Sequence, residues 1–313
     1  MKKYFLRQLV LLLPVLLGVT LVTFLLLQLV AGDTVDLLQQ SHGAVSASVK
    51  QQLRSQLGLD QPLPVQYVTW LLHLLTGDAG YSYISGQSVS SLLLSKLPST
   101  IILTISALLL ALLLAIPAGI ISALQQNKFW DYLLQLLSFL GSSVPGFLLA
   151  LFLLYFFSVR LQLTGVLPDS GFSSWLLPVI TLAIPIAAKY SRYIRGEILR
   201  EMQQPYVTGA LLLGISKTTI LRQYIFHTVG LNMITIIAMS AGSLLSGTVI
   251  IENIFMLDGI GRLALEAIIM KDFPVLQAYV VWSTCCYVLL NLLAESICGL
   301  LDPRHKIPTG EES

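Results

Sequence analysis

Residues 189–222 read KYSRYIRGEILREMQQPYVTGALLLGISKTTILR, and this stretch decides how the rest of the chain is read. Lys189, Arg192, Arg195, Arg200, Lys217 and Arg222 set it between two long uncharged runs, 170–188 and 223–251. Pro205 suits the first turn of a helix, where its missing N–H is not needed, and Gly214 is a natural stop. Tyr206, Val207, Ala210, Leu211 and Gly214 then fall at i, i+1, i+4, i+5 and i+8, on one face of a helix too short to be stable alone. That face must bury against something. After Ser216, an expected N-cap, Ile220, Leu221, Tyr224 and Ile225 form a second apolar face, which reads as an interfacial helix feeding the next run. The plainer alternative is that both helices lie among lipid headgroups.

The flanking runs are long enough to cross a bilayer. Of the 313 residues, 55% are hydrophobic and only 11% charged, which is far too apolar for an ordinary soluble domain. Uncharged stretches at 8–32, 97–127, 132–159, 170–188, 223–251 and 273–294 each approach or exceed the roughly 18–20 residues needed to span about 30 Å of hydrocarbon. A seventh, 61–77, is shorter and holds Pro62, Pro64, Gln66 and His73, so it suits an interfacial or soluble helix better. The expected fold is therefore an all-α polytopic membrane protein, a single domain over 1–313. Its crossings are placed at 9–31, 97–124, 132–159, 174–195, 229–251 and 276–300, with an extracytoplasmic segment at 32–96 and a short helix at 204–215 between the fourth and fifth crossings. Lys2, Lys3 and Arg7 precede the first run as they would in a secretory signal. Its apolar core is longer than the roughly 7–15 residues of a signal, so it is read as a retained anchor.

Twelve of the 18 lysines and arginines fall on the side of the termini and six on the other, so both ends are expected in the cytoplasm. The net charge of +2 carries that asymmetry and gives no basic, aromatic-interleaved stripe for nucleic acid. Cys285, Cys286 and Cys298 sit in or at the end of the last crossing and read as small packing residues. Pro14, Pro117, Pro145, Pro178 and Pro185 fall inside crossings, where each is expected to kink or interrupt its helix.

Small residues cluster at Ser138–Gly146 in the third crossing and Ala238–Gly247 in the fifth, where they let helices approach or line a path. Ser240, Ser243 and Gly247 share a helical face. Asn291 and Glu295 put an amide and a carboxylate in the sixth crossing, where a charge must be paired, protonated or wet. These five are the expected pathway or structural polar residues. His42 and His73 are the external histidines a metal chelate could use, but four scattered histidines assemble no metal site. Gly209-x4-Gly214 mimics the spacing of a phosphate-binding loop, yet the required lysine is Ile215 and no strand precedes it, so no nucleotide is expected to bind this chain. No HExxH, CxxC or GxSxG occurs, and no catalytic centre or cofactor site is expected.

At Tyr206-Val207-x-x-Ala210-x-x-x-Gly214 the sequence resembles the EAA loop of ABC importer membrane subunits of the dipeptide, oligopeptide and nickel permease family. The resemblance runs through Leu57-Gly58-Leu59-Asp60-Gln61-Pro62-Leu63, Gly77-Asp78-x-Gly80-x-Ser82, Leu97-Pro98-x-Thr100, Gly259-Ile260-Gly261-Arg262-Leu263, Asp272-Phe273-Pro274-Val275-x-Gln277 and Leu301-Asp302-Pro303-Arg304, in family order. It implies a permease that pairs with a second, similar permease, two cytoplasmic ATPases that hold the ATP, and an extracytoplasmic binding protein. Pro205, Tyr206, Val207, Ala210, Leu211 and Gly214 would then form the coupling helix seated on an ATPase. Thr208-Gly209 replaces the family's Glu-Ala, and Leu211 and Leu213 replace basic residues, which shifts the expected contact from charge to apolar burial. Asn232 stands where a proline is usual, and Leu257-Asp258 where Trp-Pro is frequent. The run Thr248–Phe255 resembles the nickel branch, so a nickel or other metal complex is expected ahead of a di- or oligopeptide. A competing reading is an ion-coupled secondary transporter acting alone, which predicts inverted repeats and paired intramembrane charges.

Overall fold

The computed structural model describes residues 14–26, 60–165, 171 and 173–301. The ends of the expected first crossing, the segment 32–59 with His42, and residues 302–304 of the last family motif lie outside them. Twelve helical elements follow in order: α1 (Pro14–Leu26), α2 (Leu63–Leu75), α3 (Val89–Leu124), α4 (Phe129–Ser143), α5 (Gly146–Leu153), α6 (Ser173–Met202), α7 (Pro205–Leu212), α8 (Lys217–Ile220), α9 (Phe226–Gly247), α10 (Val249–Ile254), α11 (Ile260–Ile269) and α12 (Phe273–Leu301). Wider π-helical turns at Leu154–Arg160 and Leu221–Ile225 continue α5 and join α8 to α9. No β-strand occurs among the described residues; Tyr81 and Ser88 form one isolated bridge.

Among the described residues, four helices are long and apolar enough to cross a membrane, over Val89–Leu124, Ser174–Met202, Lys217–Leu245 and Phe273–Ala294. Their surfaces say the same: Leu109 and Leu113 on α3 are 63% and 70% exposed, which suits acyl chains and not water. A fifth crossing is present if α4 and the Gly146–Arg160 helix are counted together, although they meet at 98°. The break has a local cause. Val144, ahead of Pro145, is held in extended backbone at φ −82°, ψ 124°, because the proline ring disfavours a helical residue before it. Pro178 and Pro185 sit inside the unbroken α6, and Pro117 inside the unbroken α3. Of the expected interruptions in these three crossings, only Pro145 ends a helix.

The chain divides into two compact units, one of residues 1–100 and 258–286, the other of 101–257 and 287–313. In the first, Val89, Leu93, Ile260, Ala267, Val275 and Ala278 make the core. The Gly77–Ser88 loop is pinned there by Asp272, which accepts hydrogen bonds from Ser82 Oγ at 2.5 Å and Tyr83 N at 3.1 Å. Thr100 Oγ1 accepts from Ile260 N at 2.9 Å, satisfying the first turn of α11. In the second unit, one core gathers Tyr190, Ile194 and Ile198 of α6 with Val207, Ile220, Leu221 and Ile225. Another gathers Leu103, Ala150, Leu153, Leu177, Ile251 and Phe255.

Candidate functional site

Helix α7 begins and ends as its sequence dictates. Gln204 holds extended backbone at φ −70°, ψ 145°, Pro205 takes the first helical position, and Gly214 turns the chain at φ +80°. Ile215 N donates to Ala210 O at 3.1 Å and Gly214 N to Leu211 O at 3.0 Å, closing the C-terminal turn. Gly214 serves conformation here, because a side chain at that φ is strained. Ser216 caps the next helix, its Oγ accepting from Thr219 N at 3.2 Å.

The face drawn through Tyr206, Val207, Ala210, Leu211 and Gly214 divides when folded. Val207 is buried in the α6 core, with Ala210 and Ile215 packed against that cluster. Tyr206 is half exposed; its hydroxyl donates to Glu201 Oε2 at 2.9 Å and its ring lies 6.4 Å from Tyr224. Leu212 and Leu213 are 85% and 83% exposed, with Leu211 beside them at 39%. Val207 and Ala210 thus root the helix in its own chain, and the exposed apolar surface is Leu211-Leu212-Leu213 with Pro205. The expected interfacial helix after Ser216 is corrected: Ile220, Leu221 and Ile225 are buried in that core, and only Tyr224 of the set faces outward. Their apolar face serves tertiary packing at the start of the Lys217–Leu245 helix.

Helix α6, which leads into α7, is held by a buried polar clamp. Asp131, wholly buried, accepts from Arg195 Nε at 2.7 Å and Nη2 at 2.8 Å. It also accepts from Ser122 Oγ at 2.5 Å, Gln135 Nε2 at 2.8 Å and Asn127 N at 2.9 Å. One carboxylate therefore ties together the end of α3, the start of α4 and the C-terminal third of α6. A turn earlier in α6, Ser191 shares a 2.7 Å hydrogen bond with Ser138. On α9, Asn232 Nδ2 donates to Glu197 Oε2 at 3.1 Å. Sequence reading missed Asp131. Its signal was an acid at the edge of an apolar run, where a carboxylate needs a partner.

The expected pathway residues are placed separately. Ser240 is buried, while Ser243 is exposed and donates to Ser240 O at 2.9 Å. Asn291 Oδ1 is buried without a hydrogen-bond partner. Gly247 ends α9, and the side chain of Glu295 lies outside the described residues. Among the described residues no three His, Cys, Asp or Glu side chains converge as metal ligands. His73 lies beside Asp78 at 3.7 Å on an exposed surface.

Comparison with known proteins gives this helical architecture a family. Residues 115–307 match the family described as the binding-protein-dependent transport system inner membrane component, and residues 1–104 match its N-terminal companion. The chain belongs to the binding-protein-dependent ABC importer permeases. As a permease of this family it is a multi-pass inner-membrane protein of a prokaryote. It is 35% identical over 318 residues to a putative peptide permease protein of Brucella suis, covering 98% of this chain and all of the relative. It is 33% identical over 306 residues to the glutathione transport system permease protein GsiC of Salmonella typhimurium, covering 97% and 98%. The permease also shares its fold with an inward-facing methionine ABC transporter, MetNI, at TM-score 0.53 and 13% identity, over 67% of this chain and 96% of that one. An amino acid ABC transporter with histidines gives 0.53 at 16% identity, over 69% and 94%. The two sequence relatives are named for a peptide and for glutathione, and the lean to nickel finds no support in them.

Proposed function

We propose that this permease is one of two similar membrane subunits of an ABC importer and forms half of the passage for a peptide-type solute. A binding protein outside the membrane delivers the solute, and two ATPases on the cytoplasmic side hold and hydrolyse the ATP. The observation that carries the reading is the exposed Leu211-Leu212-Leu213 surface on α7, rooted by the buried Val207 at the end of the clamped α6. An ATPase groove closing on that surface moves α7, and α6 moves with it because Val207 and the Asp131–Arg195 pair leave little play between them. That is rigid-body alternating access with no catalytic residue in this chain.

The rest of the topology follows from the charge asymmetry: both termini and α7 are cytoplasmic, and six crossings include α1 and the bent pair across Pro145. Peptides replace metal complexes as the first substrate class because the curated relatives quoted above are named for peptides and glutathione. Asn291, with its unsatisfied Oδ1, leads Ser240, Ser243, Gly247 and Glu295 as a candidate pathway contact. Membership in this family disfavours a lone ion-coupled transporter. The test is to purify the tagged chain from its native membrane and assay peptide uptake in vesicles. Recovery of ATPases and a second permease, with ATP-dependent uptake, supports the reading; active uptake by the chain alone overturns it.

A further inference from the structure

Helix α2 is three-sided. Val65, Val68, Leu72 and Leu75 lie at helical spacing on one stripe and are 46%, 52%, 59% and 76% exposed. One position on, Gln66, Thr69, His73 and Thr76 form a polar stripe. One further on, Tyr67, Trp70 and Leu74 form a half-buried stripe, and this one packs on α1. Tyr67 OH bonds Thr20 Oγ1 at 2.9 Å, and the Phe24 ring lies 5.5 Å from Tyr67 and 6.2 Å from Trp70.

Each environment accounts for one stripe only. A helix wholly in water has no use for four exposed aliphatic side chains in register, and a helix wholly enclosed would not keep Thr69, His73 and Thr76 polar. We infer that α2 lies in the membrane interface, with its Val65–Val68–Leu72–Leu75 stripe in the outer edge of the acyl chains, its polar stripe in water and its aromatic stripe on α1. Two further observations favour lipid over a protein partner. The helix that α2 packs on is itself fit for acyl chains, since α1 exposes Val15, Leu17, Leu21, Val22, Leu25 and Leu26 at 41% to 55%. Also, α2 carries no Lys, Arg, Asp or Glu, and His73 is its sole titratable side chain besides the Tyr67 phenol, so nothing on it would steer or orient a charged soluble partner. Tyr67 and Trp70 are the amphipathic aromatics that favour this depth. An interfacial helix sinks its apolar face about 5–10 Å into the headgroup and acyl boundary. Seated so, α2 fixes the height of the Gly77–Ser88 loop that follows it.

The test uses the full chain, with Cys285, Cys286 and Cys298 replaced by alanine, in phosphatidylcholine/phosphatidylglycerol bilayers. A nitroxide is placed in turn at Val68→Cys, Leu72→Cys and Thr69→Cys, and its collisions with oxygen and with a water-soluble nickel chelate are measured. The expected result is an oxygen-to-nickel ratio several-fold higher at 68 and 72 than at 69. Higher nickel access at 68 and 72 places the stripe in water and overturns the inference. Low access to both reagents places protein over it and overturns it equally. Two aliphatic sites are labelled separately so that a misfolded variant at one leaves the other to decide. The readout is independent of transport, so it stands apart from the proposed function.

Discussion

Arg195 grips Asp131 with two nitrogens, one on each carboxylate oxygen, and the aspartate is wholly buried while the arginine is 21% exposed. Removing one member of such a pair leaves an uncompensated charge where water does not reach, so Arg195→Ala is expected to destabilise the subunit by about 3–5 kcal/mol. Thermal unfolding in detergent checks this. The double variant Asp131→Leu with Arg195→Met should recover much of the loss, since apolar side chains of similar volume replace the desolvated pair. If the single and double variants unfold alike, the clamp is not what holds α6.

The two faces of α7 should separate fold from coupling. Leu212→Glu and Leu213→Glu change side chains that are more than four-fifths exposed, so the subunit should insert and unfold as the parent does. ATP-dependent uptake should fall by at least about tenfold, corresponding to about 1.4 kcal/mol of lost docking free energy. Val207→Ala acts the other way: it removes two buried methyl groups, costs roughly 1–2 kcal/mol of local stability, and leaves the docking surface intact. Co-purification of the ATPases, measured beside thermal stability, reads both effects.

Several of these relationships were visible in the chain and others were not. Helix periodicity and length made the apolar helices legible, and Pro205 and Gly214 marked the ends of α7 because each acts through its own backbone. Which side of α7 faces inward was not legible: Val207 and Leu212 are both aliphatic, and the choice depends on Ile194, Ile198 and Ile220 arriving from elsewhere. The Asp131–Arg195 pair and the Ser82–Asp272 bond join residues 64 and 190 positions apart, a pairing no local pattern encodes. Pro145 broke its helix where Pro178 and Pro185 did not. Its neighbours Ser142, Ser143 and Gly146 are weak helix formers that give the backbone little reason to continue.

Alkaline pH should loosen the Gly77–Ser88 loop. Burial, and then the charge of Asp272, push the Tyr83 phenol from 10.0 up to about 12. A raised value means that the native state keeps a proton which the unfolded chain gives up. The stabilisation is therefore fully present below pH 10 and is lost as pH climbs towards about 12. Tyr83→Phe removes this titration, so the fall in unfolding temperature across that window should be shallower than in the parent. Equal slopes would show that Tyr83 takes no part in it.

Close helix packing should be intolerant of one methyl group at Gly119 and indifferent to it at Gly196. A Cβ on Gly119 would lie 2.7 Å from Ile194 Cβ and 2.9 Å from Ser191 O, both fixed to the α6 backbone, so α3 and α6 must move apart to admit it. Overpacking of this kind costs roughly 1–3 kcal/mol. It would also strain the Ser138–Ser191 bond and the Asp131 clamp on either side. At Gly196 no heavy atom lies within 4 Å of the added Cβ, and alanine there should stabilise α6 by up to about 1 kcal/mol through helix propensity. Both substitutions lie in the same pair of helices, and unfolding temperature reads both. Gly119→Ala should unfold below the parent and Gly196→Ala at or above it; the reverse order would mean that α3 and α6 are not packed at Gly119 as described.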